Sequence, residues 1–236
     1  MRCPGPQNML IQIEDILSPA DLTAIRARLS QARWDDGRAT AGYQSAQAKH
    51  NAQVAEDDPI ARELGEILIE RLRAQPTFFS AALPLRIYPP LFNRYEVGHA
   101  FGMHVDNAIR YDRRTDPPVA VRTDLSATLF LSDPGDYDGG ELIIEDTYGT
   151  HAVKAPAGHM VLYPGSSLHR VEPITRGTRT ACFFWVQSMI PSAMHRRLLF
   201  DMDVSIQALT AAGGERDALV QLTGVYHNLL REWSQT

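Results

Sequence analysis

Apolar side chains recur at helical spacing in two N-terminal stretches. The first, residues 18–29, opens with a serine and a proline, which are typical of a helix cap and a first turn, and then places apolar residues three and four positions apart. The second, residues 58–72, opens with Asp-Pro and repeats this spacing until Pro76, which prevents much continuation. The pattern therefore predicts two amphipathic helices.

The segment between these helices, residues 35–57, is polar and contains few large apolar side chains. Gly37 and Gly42 add to its loop character. We therefore predict one long loop, and loops of this length inside a domain are often functional or disordered.

From Leu85 onward, short runs rich in β-branched and aromatic residues alternate with turn residues. These runs are residues 85–88, 92–95, 126–131, 141–145, 159–163 and 180–187. The stretches Asp133-Pro134-Gly135 and Asp138-Gly139-Gly140 are typical of hairpin ends. Many short strands with such punctuation favour a β-sandwich or barrel, so the predicted class is mainly β with flanking helices.

After Pro191 the helical spacing returns in two stretches separated by Gly213-Gly214. We interpret these stretches as packing helices, with a homodimer contact as the alternative. The chain is thus predicted to comprise an N-terminal helical region (1–84) with the polar loop 35–57, a β domain (85–188) and a C-terminal helical extension (189–236).

The composition excludes several classes of protein. With 23 basic and 28 acidic residues the formal charge is -5, and no lysine or arginine run predicts nucleic-acid binding. Cys3 and Cys182 are too few for a disulfide framework, which favours a reducing compartment. No segment resembles a signal peptide or approaches the ~20 apolar residues of a membrane span. We therefore predict a cytoplasmic protein that binds neither nucleic acid nor membrane.

Candidate chemistry begins at His104-Val105-Asp106. In a strand, residues two apart project from the same face, so both side chains can reach one metal ion. His169, which follows another strand-like run, would add a third ligand. Two histidines and one carboxylate form the facial triad of non-haem iron oxygenases, and such a triad leaves coordination positions open for a co-substrate and oxygen.

Arg179 opens the apolar run that contains Phe183 and Trp185. A guanidinium buried among aromatic rings is explained if it binds a carboxylate through two hydrogen bonds. Strand alternation places Ala181, Phe183 and Trp185 on the face of Arg179, so we predict that they wall the same pocket.

Seven motifs together resemble a known family. They are Asn93-Arg94-Tyr95, His104-Val105-Asp106-Asn107, Leu131-Ser132-Asp133, the stretch 137–142, His169 with Arg179, and the loop segments 36–42 and 49–53. The chain resembles the 2-oxoglutarate-dependent dioxygenases of the prolyl 4-hydroxylase-like branch, and within it the bacterial PKHD-type hydroxylases.

This resemblance implies a double-stranded β-helix, or jelly-roll, core with iron at its open end. It implies that His104, Asp106 and His169 bind iron(II) and that Arg179 binds the distal carboxylate of 2-oxoglutarate. Tyr95 matches, with a one-residue difference in spacing, a tyrosine that donates a hydrogen bond to the same co-substrate. The implied reaction hydroxylates a small-molecule or peptide substrate with O2 and releases succinate and carbon dioxide, with L-ascorbate as a candidate reductant.

Two other functions remain open from the residues alone. One is a non-enzymatic jelly-roll sensor that binds a metal or a carboxylate, and the other is a zinc hydrolase, which the lack of a general base beside the triad disfavours. The loop 37–53, with Arg38, Lys49 and Asn51, is a candidate lid over the primary-substrate site, against the alternative of a solvated connector. The substrate itself is not predicted.

Overall fold

The structure is a computed structural model that describes residues 10–40, 43–146 and 149–236. Cys3 lies outside the described residues. The helices are α1 (Pro19–Leu29), α2 (Tyr43–Ala48), α3 (Pro59–Arg73), α4 (Pro76–Ala82), α5 (Ala193–Ala211) and α6 (Arg216–Trp233). Among the described residues, every helix is too short or too polar to cross a membrane.

Both predicted N-terminal helices are confirmed, and their starts follow from side-chain capping. The Ser18 hydroxyl accepts a hydrogen bond from the Asp21 amide at 3.1 Å, and the Asp21 carboxylate accepts one from the Ser18 amide at 3.1 Å. A contact with the Arg71 guanidinium lowers the pKa of Asp21 to about 2, so the Asp21 carboxylate stays ionised. Asp58 likewise accepts from the Ile60 amide at 2.8 Å and begins α3.

The strands follow in chain order. They are β1 (Ile11–Ile13), β2 (Trp34–Asp36), β3 (Lys49–His50), β4 (Ala52–Val54), β5 (Pro84–Ile87), β6 (Leu91–Tyr95), β7 (Ala100–His104), β8 (Ile109–Asp112), β9 (Val119–Arg122), β10 (Leu125–Phe130), β11 (Tyr137–Gly139), β12 (Leu142–Asp146), β13 (Gly149–Val153), β14 (Met160–Pro164), β15 (Leu168–Val171), β16 (Ile174–Gly177) and β17 (Arg179–Ser188). The six runs predicted as strands correspond to β5, β6, β10, β12, β14 and β17, and each end lies within one residue of the prediction.

Two antiparallel sheets form the core. The large sheet has the strand order β1-β14-β10-β17-β6-β4-β2, with β5 also paired to β17, and the small sheet has the order β13-β12-β15-β7-β3. The pairs β11-β16 and β8-β9 stand apart from them. This arrangement confirms the predicted mainly-β class with a jelly-roll core.

The large sheet is covered on both faces. One face packs against α1, α3 and α4 through a cluster that includes Ile25, Leu68 and Phe184. Its other face packs against the small sheet through Phe130, Ile144 and other buried side chains. Successive residues of a strand point to opposite faces, so β17 and β10 supply both layers of the core. The space between the two sheets is where the candidate site lies.

The prediction of one long loop over 35–57 was wrong. This segment contains β2, a 3-10 turn over Gly37–Thr40, α2, β3 and β4. β4 pairs with β6 of the large sheet, while β3 pairs with β7 of the small sheet. Strands of two or three residues carry no readable periodicity, and their pairing comes from neighbours distant in sequence.

The predicted division at residue 84 stays a prediction, and the fold shows how closely the regions on either side of it are joined. The N-terminal region contributes β1, β2 and β4 to the large sheet. At the other end, α5 and α6 pack on each other through partly buried side chains that include Tyr226 and Trp233. α6 buries none of its residues fully, so its outer face is exposed.

Gly177, the last residue of β16, is predicted to be required where β16 pairs with β11. Its φ of +72° is left-handed, and a Cβ there would lie 2.0 Å from the Asp136 carbonyl oxygen. Gly177→Ala should therefore lower the free energy of unfolding by roughly 2–4 kcal/mol, from backbone strain plus overpacking. Urea denaturation of purified protein measures this.

Gly135→Ala is the matched control for that substitution. Nothing lies within 4 Å of a Cβ at Gly135, so the free energy of unfolding should change by no more than about 0.5 kcal/mol. Equal stability losses in the two variants would contradict the steric explanation.

Candidate metal centre and its cavity

A cavity between the two sheets gathers the residues singled out by the sequence. Its lining includes His104, Asp106, His169, Arg179 and Tyr95. The cavity volume is about 70 Å³, and a second, larger space of about 560 Å³, here called the outer groove, adjoins it. Asn107 and Arg110 line both spaces, so the two spaces adjoin at these residues.

The two histidines lie side by side because their strands are paired. His104 ends β7 and is in register with His169 of β15, and the ring centroids are 4.1 Å apart. His104 Nδ1 lies 2.9 Å from the Gly102 carbonyl oxygen, and His169 Nδ1 lies 3.0 Å from that of Ser167. A carbonyl only accepts, so each Nδ1 donates its proton, and each Nε2 keeps a lone pair that can bind a metal.

Asp106 reaches the same point from outside the strand. β7 ends at His104, so Asp106 lies beyond the strand. Strand alternation therefore does not explain why the two side chains face the same point. Asp106 Oδ2 nevertheless lies 3.8 Å from His169 Nε2. One ligand atom from each of His104, Asp106 and His169 falls within 4.8 Å of the others, close enough for one ion.

The electrostatics of this cluster suit a divalent cation. Asp106 Oδ2 is buried and has no hydrogen-bond partner among the described residues, which is costly for a carboxylate unless a cation compensates it. Burial, followed by the charge of His169, lowers the pKa of His104 to about 4. His104 is therefore neutral near pH 7, as metal ligation requires. The residues present fit a metal with two nitrogen ligands and one oxygen ligand.

Arg179 is almost fully enclosed, with 1% of its surface exposed. Its guanidinium lies 5.5 Å from the Tyr95 ring centroid and 5.3 Å from that of Phe130. Its Nε has no acceptor, and no carboxylate of the described residues pairs with it. A buried unpaired cation is expensive, so this geometry favours an anionic ligand beside it. Arg176, three residues earlier in the sequence, is exposed and pairs with Asp138 at 2.7 Å.

Tyr95 and Asn93 face this cavity from β6, the strand next to Arg179. Tyr95 is in register with Arg179, and burial raises the pKa of its hydroxyl to about 12, which keeps it a proton donor. Asn93 lies two residues earlier on the same face, and its buried Oδ1 has no partner. Asn93 belongs to the motif Asn93-Arg94-Tyr95, and although no role was predicted for it, strand alternation from Tyr95 could have placed it in the cavity.

The predicted aromatic wall is present in part. Phe183 and Trp185 line the cavity together with Arg179, as alternation predicts, whereas Ala181 is not among the lining residues. Lys49 and Arg110 also line it. Arg110 was not identified from the sequence, because its position depends on how β8 folds over the sheets.

The other histidines lie elsewhere. The rings of His50 and His99 contact each other at a tilt with centroids 4.2 Å apart, and His195 stacks on Trp233 at 4.0 Å. In the described part of the chain, the cluster of His104, Asp106 and His169 is the one group of metal-ligating side chains that comes together.

Comparison with known proteins identifies two family matches. Residues 90–187 match the 2OG-Fe(II) oxygenase superfamily, and residues 194–235 match the PKHD-type hydroxylase C-terminal domain. The first match contains the proposed ligands and Arg179. The second covers nearly all of α5 and α6.

Curated relatives match over nearly the full length. The chain is 65% identical over 226 residues to a PKHD-type hydroxylase of Xanthomonas axonopodis pv. citri, covering 96% of this chain and 99% of the relative. It is 59% identical over 226 residues to a PKHD-type hydroxylase of Bordetella pertussis, with the same coverage of both chains.

Solved structures share the fold at low sequence identity. An oxidoreductase of the 2OG-Fe(II) oxygenase family from Burkholderia pseudomallei has a TM-score of 0.54 at 15% identity, covering 79% of this chain and 94% of that chain. HygX of Streptomyces hygroscopicus, solved with nickel and 2-oxoglutarate bound, has a TM-score of 0.53 at 15% identity, covering 77% and 83%.

Proposed function

Because the chain belongs to the PKHD-type hydroxylases of the 2OG-Fe(II) oxygenase superfamily, we propose which of its residues bind the metal and the co-substrate. The chain is an iron(II)- and 2-oxoglutarate-dependent dioxygenase. His104, Asp106 and His169 bind the iron. The observation that carries this assignment is the convergence of their ligand atoms within 4.8 Å, in the cavity that also contains the unpaired Arg179.

In the same proposal, Arg179 and Tyr95 bind 2-oxoglutarate. Arg179 pairs with the carboxylate farthest from the metal, because its guanidinium can offer two parallel hydrogen bonds. Tyr95 donates a hydrogen bond from its hydroxyl group to the same molecule. Asn93, two residues before Tyr95 on the same face of β6, also contacts this molecule. When bound, iron and 2-oxoglutarate activate dioxygen for hydroxylation and yield succinate and carbon dioxide.

The protein's own residues orient these ligands and exclude water. The rings of Tyr95 and Phe130 enclose the Arg179 guanidinium, which strengthens its pairing with an anion by lowering the local dielectric. Phe183 and Trp185 wall the space beside the metal. The carbonyl oxygens of Gly102 and Ser167 fix the orientation of the histidine rings.

We further propose a substrate class, a reductant, a cellular compartment and a homodimer for this chain. The substrate is a small molecule or a peptide, and L-ascorbate serves as reductant. The protein acts in the cytoplasm. A homodimer forms through the exposed apolar side chains of α5 and α6, which include Leu198, Val220 and Val225. Sedimentation at several protein concentrations would test the dimer.

Succinate release tests the proposed activity against a non-enzymatic sensor. The purified chain with iron(II), 2-oxoglutarate and oxygen should release succinate slowly even without its substrate. The same chain loaded with zinc is the control, and it should bind 2-oxoglutarate without consuming it. Binding of 2-oxoglutarate with no succinate under either metal would favour the sensor.

A further inference from the structure

The side chains that line the cavity include three cations and one carboxylate. Apart from its histidines and tyrosines, its ionisable lining residues are Lys49, Arg110, Arg179 and Asp106. Iron(II) and the 2-oxoglutarate dianion carry equal and opposite charges, and Asp106 offsets one of the three cations. Asp36 and Glu56, which lie outside the lining, also act on Lys49 and partly compensate its charge. Arg179 is already assigned to 2-oxoglutarate, which leaves Arg110 as the lining cation without a carboxylate partner among the described residues.

Arg110 is the cation best placed to meet another ligand. It lies on β8, and its guanidinium is 4.2 Å from the Trp185 ring centroid and 4.9 Å from that of Tyr88. Its Nε is buried with no acceptor, and no carboxylate of the described residues pairs with it. Arginine often packs on aromatic rings at a surface, but there its nitrogens are solvated, whereas here Nε is shielded from water.

Lys49 adds a second positive charge near Arg110. It is 5% exposed, and its Nζ donates to the Gln53 side-chain oxygen at 3.0 Å. Burial, followed by the positive charge of Arg110, lowers the pKa of Lys49 to about 8, so it is still largely protonated at pH 7. The positive charge of Arg110 thus acts on Lys49, and an anion bound beside both would offset that repulsion.

Position separates Arg110 from the subsite of 2-oxoglutarate. Arg179 is enclosed by Tyr95 and Phe130 and does not line the outer groove. Arg110 lines both the groove and the cavity. Four carboxylates also line the groove. Asp35 and Asp57 pair with Arg33, and Asp36 pairs with Arg38, which leaves Glu56. Arg110 therefore lies where the groove adjoins the cavity, while 2-oxoglutarate occupies the interior.

We propose that the primary substrate carries a free carboxylate, which Arg110 binds at the junction of the outer groove and the cavity, with Lys49 adding positive charge. This inference rests on the proposed function, because it assumes that 2-oxoglutarate occupies the Arg179 side. The carboxylate can be the end of a chain or an acidic side chain. Both sources present the same planar anion to the guanidinium.

Three related probes test the proposal. N-acetylglutamine has only a terminal carboxylate, N-acetylglutamate α-amide has only a side-chain carboxylate, and N-acetylglutamine amide is neutral. Each is titrated by calorimetry into protein saturated with manganese(II) and 2-oxoglutarate, so that Arg179 is occupied. At least one acid should bind roughly ten- to hundredfold more tightly than the neutral amide, as expected for a charge-assisted hydrogen bond. Whichever acid binds more tightly identifies the source of the carboxylate.

Variants assign this preference to Arg110. Arg110→Gln should abolish the preference for the acid while leaving the affinities for manganese and 2-oxoglutarate unchanged, and Arg110→Lys should retain part of it. The matched control is Arg113→Gln, which removes an exposed arginine from the outer groove. Its preference should stay as in the parent chain. Thermal unfolding of each variant verifies that it is folded.

Three outcomes would overturn the inference: the neutral amide binds as tightly as both acids, neither acid binds at millimolar concentration, or Arg110→Gln keeps the preference. Failure of the proposed function would look different. A chain that binds the acids through Arg110 but never releases succinate would contradict the activity and leave the anion subsite standing.

Discussion

Replacing His104, Asp106 or His169 with alanine is expected to abolish succinate release and to weaken iron binding by more than about hundredfold. Even partners of metal ligands typically change affinity by 10- to 100-fold, and a direct ligand of a three-residue site should matter more. For Asp106→Ala the site also loses its one negative charge, so attraction to the cation falls. Anaerobic titration with iron(II), alongside a succinate assay, measures both effects.

His227→Ala is the control for these substitutions, because His227 lies exposed on α6 and away from the cluster. It should keep the parent metal affinity and the parent rate of succinate release. If any one of the three cluster variants binds iron as tightly as the parent, that residue does not belong to the ligand set.

Arg179→Met is expected to weaken 2-oxoglutarate binding by roughly 2–5 kcal/mol while iron still binds. The magnitude is that of truncating one partner of a buried, hydrogen-bonded charge pair, where the other charge is left without compensation. Arg179→Lys should recover part of the affinity, since it restores the charge without the two parallel hydrogen bonds. Calorimetric titration of the manganese-loaded variants measures the loss.

The ligand-free protein provides a second measurement for Arg179→Met. Without 2-oxoglutarate the parent chain holds a buried unpaired cation, so removing it should not lower the thermal midpoint. Arg176→Met is the matched control, because Arg176 is exposed and pairs with Asp138. An undiminished 2-oxoglutarate affinity in Arg179→Met would show that another cation binds the co-substrate.

Much of the regular structure could be predicted because its signals are local. Ser18 and Asp58 are helix caps whose partners lie within three residues, and the strand that begins at Arg179 is an apolar run bounded by turn residues. The β3 and β4 strands could not be predicted, because two or three residues have no measurable period. Their conformation is set by pairing with β7 and β6, far away in sequence.

The candidate site divides along the same line. His104, Asp106, His169 and Arg179 were identified from residue type and family resemblance, and the fold brings them into one cavity, although their roles stay predictions. The segment that follows β7, and not the strand itself, carries Asp106 to the cluster. Arg110 could not be placed from the sequence, because its environment is made by Tyr88 and Trp185, which come from two other parts of the chain.

The anchoring of the segment that contains β3 and β4 bears on the lid hypothesis. Lys49 pairs with Phe101 of the small sheet, and Gln53 pairs with Asn93 of the large sheet. A swinging lid would have to break both pairings. The described part of this segment is better explained as a fixed wall of the cavity, with Lys49 pointing into it.

The two halves of the site belong to different sheets. His104 and His169 lie on the small sheet, whereas Arg179 and Tyr95 lie on the large one. A 2-oxoglutarate molecule that reaches from the metal to Arg179 would link the two sheets. The metal and 2-oxoglutarate would then each favour the sheet spacing that the other needs. Such heterotropic coupling is reciprocal: the factor by which 2-oxoglutarate tightens metal binding must equal the factor by which the metal tightens 2-oxoglutarate binding. Amide hydrogen exchange in β7 and β15 should then slow more with both ligands than the sum of their separate effects. Purely additive protection would show that the two binding events are not coupled.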